Sequence, residues 1–324
     1  MAVTLQNVDI YTQALNAAFI NAREFPQKPY PVEKAIQIVP SKGETENFPW
    51  MYPPPLMSLW NGFRNFAKIG ATNYKVRNLT FTAQFEVPKE NWDDEQVGGF
   101  AQKGGEMANA AHQWRVIDSL VNLSLGNTTL AFDQNYLFVA RTDRVNNAVG
   151  TYTNWLTAPT AGTDGVTHVM ILMYHARAVK PLIWTNREEV DFRTDMGDNI
   201  ASLNRMYRFW SDLRGAPAYG FPFDFCAVFF GNTPTLIEVQ TAIGLALAQM
   251  KTYLYPKALP SDVNQYFHHM LEFDSKSVMA ICSSKIEYLV KQAATLTLIA
   301  QTENPWLNFA EVIASGYFDA MVHP

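Results

Sequence analysis

A strict two-residue alternation between positions 77 and 87 narrows the possible folds of this chain more than any other feature. Arg77, Leu79, Phe81, Ala83, Phe85 and Val87 alternate there with Asn78, Thr80, Thr82, Gln84 and Glu86. Because the side chains of a strand point alternately to its two faces, this pattern predicts a strand with one apolar, buried face. Strands average about five or six residues, so a run of this length predicts part of an extended ribbon.

A helical pattern follows this strand. The stretch KENWDDEQ carries Asp93, Asp94 and Glu95, which are predicted to cap a helix that begins near residue 96 and to interact with its dipole. The helix is predicted to end near residue 123. Its buried stripe is predicted to contain Phe100, Met107, Ala111, Trp114, Ile117 and Val121. Such a helix is about twice the average length, which predicts a central spine.

Helices and buried strands are predicted in the rest of the chain. Residues 4–20 have the spacing of a short amphipathic helix, which the prolines at 26, 29 and 31 end. The continuous apolar run at 168–184 predicts a buried strand pair or a bulged strand. Residues 204–231, dense in aromatic and small residues, are predicted to be strand-like, with loops and short strands at 126–165. Two capping boxes, at Thr235–Glu238 and Ser284–Glu287, predict helix starts, and SVMAIC before the second predicts a buried strand. The fold class is α+β.

The composition favours a protein that buries much of its surface against other subunits. Charged residues make up only 17 % of the chain, and hydrophobic residues make up 48 %. The usual charged fraction of a soluble domain is roughly 25 %. Interface cores are depleted in charge and enriched in aromatic residues and Met, and this chain has 8 Trp, 14 Tyr, 21 Phe and 12 Met. An obligate oligomer fits this composition; the alternative is a charge-poor enzyme with a large core.

No motif in the chain predicts catalysis, a cofactor or a metal. The chain contains no nucleophile elbow, phosphate-binding loop, dinucleotide fingerprint or zinc-protease helix. Cys226 and Cys282 lie in apolar stretches and are predicted to be small buried hydrophobes in a reducing compartment. The net charge of −5 disfavours a nucleic-acid-binding protein. A signal peptide and a membrane span are not expected, so the chain is predicted to be soluble and made in a cytosol.

The stretch ENFPWMYPPPLMSLWNGFRNF at 46–66 is predicted to contact another subunit. Its prolines exclude a helix, and its aromatic residues are too many for a solvated linker. The predicted contact residues are Trp50, Tyr52, Pro53, Pro54, Pro55, Trp60, Phe63 and Arg64. The alternative is that these aromatic side chains pack on their own domain.

This stretch and its neighbours resemble the major head subunit family of Mu-like phages. The matching residues are Val39, Pro40, Ser41, Phe48, Trp50, Pro55, Met57, Trp60, Gly62, Arg64, Val87, Pro88, Lys89, Asp93 and Asp94. KPLIWTNRE at 180–188 and ENPWLNFAEVIASGYFD at 303–319 resemble later motifs of the family. The chain departs from the family pattern at AFDQNYLFVARTD and FWSDLRG, which affects local loops more than the fold.

The resemblance implies a Hong Kong 97-like phage capsid fold. It implies an N-terminal arm at 1–34, an extended loop (E-loop) ribbon at 35–90, a peripheral (P) domain with the spine helix at 91–232, and an axial (A) domain with C-terminal strands at 233–324. It also implies a major capsid protein that self-assembles, as hexamers and pentamers, into the icosahedral shell of a tailed double-stranded DNA phage or prophage.

The implied partners are other copies of the chain, a portal at one vertex, scaffold and decoration (cement) proteins, and packaged DNA in weak, non-specific contact. The implied location is the virion capsid, assembled in the bacterial host cytoplasm, with no membrane partner. Two alternatives stay open at this point. One is an encapsulin-like shell that encloses a cargo enzyme, and the other is an unrecognised enzyme.

Overall fold

The structure is a computed structural model that describes residues 13, 15–21, 30–48, 62, 74–93, 99–142, 151–158, 167–195, 206–252, 276–299 and 302–321. The elements, in chain order, are α1 (15–21), β1 (Ile36–Pro40), β2 (Thr45–Asn47), β3 (Lys75–Arg77), β4 (Leu79–Pro88), α2 (Lys89–Asp93), α3 (Gly99–Ser124), β5 (Ala140–Thr142), β6 (Thr151–Thr153), β7 (Trp155–Ala158), β8 (His168–Tyr174), β9 (Leu182–Asp195), β10 (Met206–Tyr219), β11 (Phe225–Phe230), α4 (Leu236–Lys251), β12 (Val278–Cys282), α5 (Glu287–Thr295), β13 (Leu298–Ile299), β14 (Thr302–Glu303) and β15 (Glu311–Ala314). Short 3-10 turns lie at Pro31–Ala35, Pro222–Asp224, Ser284–Ile286 and Gly316–Phe318.

The first sheet is a long ribbon with the strand order β1-β9-β10-β4. β9 and β10 each have 14 residues and pair antiparallel, and β4 pairs antiparallel with β10 along its whole length. The strand predicted from the alternation at 77–87 is confirmed: it is the 10-residue β4, preceded by the short β3. Its apolar face contributes the half-buried Phe81 and Phe85 and the buried Val87, while the opposite face is exposed.

The second sheet has the order β15-β12-β8-β11-β7 and forms the main core. Its three central strands, β8, β11 and β12, are buried at every position. This explains their continuous apolar sequences, because both faces of the sheet are covered. α4 and α5 pack on one face, where Val228, Ala280 and Ile243 belong to one cluster.

The long helix α3 links the two sheets. Its first half packs Met107, Ala108 and Ala111 against Trp184 and Leu213 of the ribbon. Its second half packs on the other face of the second sheet, with contact residues Val116, Leu120, Leu123, Ile171 and Phe229. The predicted spine helix is therefore confirmed, with bounds Gly99–Ser124.

The predicted buried stripe of this helix is only partly right. Met107 and Ala111 are buried as predicted, but Trp114 is 38 % exposed, and Ile117 and Val121 are only half-buried. The buried positions of the second half are Val116, Ser119, Leu120 and Leu123. The helix changes its packing partner from one sheet to the other midway, so no single stripe describes both halves. The side chain of Phe100 lies outside the described part.

One predicted capping box forms and the other does not. Thr235 accepts a hydrogen bond from the Glu238 N–H, and the Glu238 side chain accepts one from the Thr235 N–H at 2.7 Å. At the second site α5 is present, but Ser284 and Glu287 do not cap it reciprocally. Instead, Asp319 accepts from the Ser284 N–H at 2.8 Å and also bonds its hydroxyl. A carboxylate 35 residues downstream has taken the role that the local pattern predicted.

Only Asp93 of the acidic cluster lies among the described residues, so the capping role of the cluster stays a prediction. Residues 89–93 form the short helix α2, with Asp93 at its last position, and α3 is described from Gly99. Asp94 and Glu95 lie outside the described residues. Cys226 and Cys282 are free and fully buried in β11 and β12, as the sequence predicted.

Candidate subunit-interaction surfaces

The predicted contact residues Trp50, Tyr52, Pro53, Pro54, Pro55, Trp60, Phe63 and Arg64 all lie outside the described residues. Of the motif around them, the structure describes Gly62, which has a φ of 96°. That value lies in the left-handed region that favours glycine. The role of these residues stays a prediction.

The two chain segments that flank residues 49–73 are held side by side. β2 and β3 pair antiparallel, and Phe48 N–H donates to the Tyr74 carbonyl oxygen at 3.0 Å. The Phe48 and Tyr74 rings lie 5.9 Å apart, and both residues are buried. Phe48 and Tyr74, which bound this segment in the sequence, are therefore held at one rigid point.

A buried hydrogen-bond network centred on Asn78 supports this point. The Asn78 amide donates to Ser41 Oγ at 2.8 Å and to the Gly43 carbonyl at 2.9 Å. Its oxygen accepts from the Thr185 hydroxyl at 2.7 Å, and Thr185 in turn accepts from the Ala216 N–H at 2.9 Å. The network thus joins β9 and β10 to the segment before β2. Sequence reasoning treated Asn78 only as a polar position of the alternation; its burial was not predictable from that pattern.

A groove of about 570 Å³ lies beside this network, between β3, the start of β4 and the end of α3. Its rim carries the exposed side chains of Leu79, Leu125 and Leu130, which are 51 %, 49 % and 47 % exposed. Tyr74 and Tyr219 line its interior. An open groove with exposed leucines at its rim and Lys75 and Arg77 in its lining suits contact with another polypeptide better than it suits a small polar ligand.

Three ionisable groups of the groove, Tyr74, Tyr219 and Asp118, are shifted toward their neutral forms. Burial raises the pKa of Tyr74 to about 12, although the hydrogen bond from the Tyr219 backbone opposes the rise. Burial also raises the pKa of Tyr219, whose hydroxyl donates to the Asn122 carbonyl. Burial raises the pKa of Asp118 to about 6, and its Oδ2 atom has no hydrogen-bond partner among the described residues. These groups provide no acid–base pair.

A second candidate surface is the outer stripe of α4. Ile237, Thr241, Leu245 and Ala248 are exposed at helical spacing, and none of them is charged. Ile237 and Leu245 are 60 % and 48 % exposed. A smaller groove, of about 210 Å³, runs beside this stripe and is lined by Leu245, Ala248, Gln249, Leu156 and Ala158. An uncharged, apolar helix face is typical of a surface that is covered in an assembly.

A fully buried carboxyl group lies away from both grooves. Asp224 is fully buried, and Arg177 Nε lies 3.2 Å from its Oδ1 atom. Burial raises the pKa of Asp224 to about 8, and the charge of Arg177 opposes this rise. The pair lines neither groove. Within the described part of the chain, no three His, Cys, Asp or Glu side chains are grouped to hold a metal ion, and no helix is long and apolar enough to cross a membrane.

Comparison with known families agrees with the capsid-like features. A family model described as Mu-like prophage major head subunit gpT matches residues 8–253. The major capsid protein of Escherichia phage Mu is 25 % identical over 198 residues, which are 60 % of this chain and 64 % of that protein. The FluMu prophage major head subunit of Haemophilus influenzae is 25 % identical over 190 residues, 57 % of this chain and 61 % of that protein. The chain thus aligns with less than two thirds of the length of either relative.

Solved structures show the fold. The procapsid subunit of bacteriophage JBD30 superposes with a TM-score of 0.73 at 18 % identity, covering 97 % of this chain and 100 % of that chain. The JBD30 capsid subunit superposes with a TM-score of 0.69 at 15 % identity, covering 91 % and 92 %. The predicted α+β Hong Kong 97-like capsid fold is therefore confirmed.

Proposed function

This chain belongs to the Mu-like prophage major head subunit gpT family, and from that membership we propose that it is the major capsid protein of a tailed double-stranded DNA phage or prophage. In this role, copies of the chain assemble as hexamers and pentamers into a closed icosahedral shell around the genome. The observation that carries the proposal is the match of the family model over residues 8–253.

The described surfaces support a shell-forming role. The exposed stripe of α4 is uncharged, the 570 Å³ groove carries exposed leucines at its rim, and the two lie on different parts of the chain. A subunit of a closed shell contacts several neighbours at once, so it needs several such surfaces. The low charged fraction of 17 % is explained by the same need.

We further propose that Trp50, Tyr52, Pro53, Pro54, Pro55, Trp60, Phe63 and Arg64 contact an adjoining subunit. The prolines restrict the backbone and lower the entropy lost on ordering, while the aromatic residues supply apolar area. The rigid base formed by Phe48, Tyr74 and the Asn78 network supports this proposal, because it would hold an extended loop (E-loop) in a fixed direction.

The predicted domain division fits this proposal. It has an arm at 1–34, the E-loop at 35–90, a P-domain at 91–232 and an A-domain at 233–324. The spine helix α3 would then belong to the P-domain, and α4, α5 and β12 to the A-domain.

The proposed partners are those of a phage head. They are other copies of the chain, a portal at one vertex, and scaffold and decoration proteins. A JBD30 capsid is decorated with minor capsid protein trimers, and a comparable partner is proposed here. With a net charge of −5, contact with packaged DNA is expected to be weak and non-specific. Assembly is placed in the host cytoplasm and the final location in the virion, and no catalytic role is assigned.

Negative-stain electron microscopy of the purified protein, expressed alone and with its neighbouring genes, tests the function. Closed polyhedral shells, tubes or capsomers are expected. A stable monomer or small closed dimer under all conditions would contradict the proposal. An encapsulin-like shell is not favoured, because the matching family is one of phage head subunits; packaged DNA rather than a cargo enzyme inside the shells would distinguish the two.

A further inference from the structure

The strand β4 forms an open edge of the ribbon sheet. Its residues pair with β10 in an unbroken register from Leu79–Gly215 to Pro88–Met206. Among the described residues, no strand pairs with the opposite side of β4. One row of its backbone N–H and C=O groups therefore faces outward and is free to pair with another strand.

This edge has few of the features that normally prevent strand pairing. The sequence LTFTAQF at 79–85 contains no charged residue and no proline, and the pairing with β10 contains no bulge. Native proteins protect long edge strands with charges, proline, bulges or a covering element. The charge of Glu86 and the ring of Pro88 lie only at one end of the 10-residue strand, so the edge at 79–85 is expected to be covered in the working assembly.

Apolar side chains are exposed along the same edge. Leu79 is 51 % exposed, and Phe81 and Phe85 are only half-buried although they lie on the inner face of the sheet. The ring of Trp114 of α3 lies 5.4 Å from the Phe81 ring in a tilted arrangement, and Trp114 is itself 38 % exposed. The covering partner therefore has to supply apolar surface on this face as well as backbone hydrogen bonds.

The sequence of β4 is complementary to itself in one antiparallel register. When Ala83 lies opposite Ala83 of a second copy, Phe81 lies opposite Phe85 and Leu79 opposite Val87 on the inner face. On the outer face Thr82 lies opposite Gln84 and Thr80 opposite Glu86, so the two Glu86 carboxylates stay about 20 Å apart. A slip of the pairing by one residue would place Phe81 opposite Gln84 or Glu86. Moving the two-fold centre to Thr82 would place Val87 opposite Arg77. Moving it to Gln84 would place Leu79 opposite Lys89.

We propose that β4 pairs antiparallel with β4 of a second copy of the chain, about a two-fold axis at Ala83, so that two ribbon sheets become one continuous sheet. Both inner faces then lie on the same side, and the half-exposed Phe81 and Phe85 of the two copies cover one another. This contact is isologous, since each copy contributes the same surface. The inference rests on the proposed shell-forming function, which supplies the second copy, but it names a contact that the function alone does not require.

Cysteine cross-linking tests the register. Ala83→Cys would place two thiols directly opposite each other, whereas Thr80→Cys would place them about 20 Å apart, too far for a disulfide. The native Cys226 and Cys282 are fully buried and give a low background. Shells of each variant are treated with copper–phenanthroline and run on a non-reducing gel. A dimer band is expected for Ala83→Cys and not for Thr80→Cys. Shells in which Ala83→Cys stays monomeric, or in which both variants cross-link equally, overturn the proposal.

A second pair of variants covers the case in which the cysteine variant folds poorly. Ala83→Lys places two ammonium groups face to face at the axis, whereas Thr80→Lys places each one opposite a Glu86 carboxylate. Assembly yield is expected to fall at least tenfold for Ala83→Lys and to stay within twofold of wild type for Thr80→Lys. Equal yields contradict the pairing. If wild-type protein forms no shell, the proposed function fails; the same cross-linking on concentrated protein in solution then decides the β4 contact by itself.

Discussion

The buried side-chain amide of Asn78 joins distant segments of the chain by hydrogen bonds. Asn78 is 4 % exposed, and its side chain bonds Ser41, Gly43 and Thr185. Its backbone N–H also donates to the Glu44 carbonyl at 2.9 Å. Buried polar groups stabilise a fold only when their hydrogen bonds are made, so this network specifies one arrangement of the loop base.

Replacing Asn78 with Ala is expected to lower the free energy of unfolding by about 2–4 kcal/mol, because it leaves the buried Thr185 hydroxyl and the Gly43 carbonyl without this partner. Urea unfolding of the unassembled subunit measures the change. Asn47→Ala, at an exposed position of β2, is the control and is expected to change stability by less than about 0.5 kcal/mol. Equal effects of the two variants would show that the Asn78 network is not the anchor.

Asp118 makes stability depend on pH. Burial raises its pKa in the fold from 3.8 to about 6, so the folded state binds more protons than the unfolded state between these values. The favourable contribution of proton binding at Asp118 to the free energy of unfolding is therefore complete below about pH 3.8, and it is lost as the pH rises to about 6. In Asp118→Asn this dependence is absent.

The stability of Asp118→Asn relative to wild type is expected to rise by about 1 kcal/mol between pH 4 and pH 6.5 and to stay level above pH 7, after allowing for the water that still reaches the carboxyl. Urea unfolding at a series of pH values measures the difference. A difference that is flat across this range, or that has the opposite sign, would contradict the assignment.

At the scale of elements, the contact between α1 and α3 depends on the absence of a side chain. Leu15 and Phe19 of α1 are buried at 0 % and 1 % exposure. A Cβ atom on Gly104 would lie 2.8 Å from the Leu15 carbonyl oxygen, closer than Cβ atoms normally approach. Gly104 therefore lets the backbone of α1 approach the spine helix closely.

Gly104→Ala tests this contact by the sign of its effect. In a helix where the added methyl group meets no neighbour, Gly→Ala stabilises the helix by about 1 kcal/mol. Here it is expected to destabilise the contact, so that hydrogen–deuterium exchange of residues 15–21 rises at least tenfold while exchange in α4 is unchanged. A more stable protein with unaltered exchange in α1 would show that the contact tolerates a methyl group.

At the scale of the whole molecule, α3 and its two sheets form one scaffold for several surfaces. The ribbon, the second sheet and the loop base all contact or adjoin this helix. The apolar surfaces at β4, at the groove and along α4 therefore keep fixed positions relative to one another. Fixed positions are what a subunit needs if all its contacts are to close into a shell.

Trp60→Ala is expected to abolish or strongly reduce shell formation while the subunit keeps its helical content, because the proposed contact loses one of its two Trp side chains. Trp60→Phe keeps aromatic area and is expected to assemble at an intermediate or near-normal yield. Electron microscopy counts the shells, and circular dichroism monitors the helices. Normal shells from Trp60→Ala would refute the assignment of this segment.

The sequence by itself determined the elements whose patterns are local. Period-two alternation predicted β4, helical spacing predicted α3, and the capping box at Thr235 predicted α4. Apolar runs predicted the fully buried β8, β11 and β12. These predictions agree with the structure because each pattern follows from the burial of one face, or of both faces, of a single element. The short motifs that match the Mu-like head subunit family are also local, so they could be found in the sequence alone.

Only the tertiary structure decided which elements meet. It changed the buried stripe of α3 midway, and it replaced the predicted box at Ser284 with Asp319. It also buried Asn78 against Thr185, which lies 107 residues away in the sequence. It also left β4 at a sheet edge, a position that its alternation does not reveal. The physical reason is common to all four: hydrogen bonds and packing between residues distant in sequence depend on which element arrives alongside, and local periodicity contains no information about that neighbour.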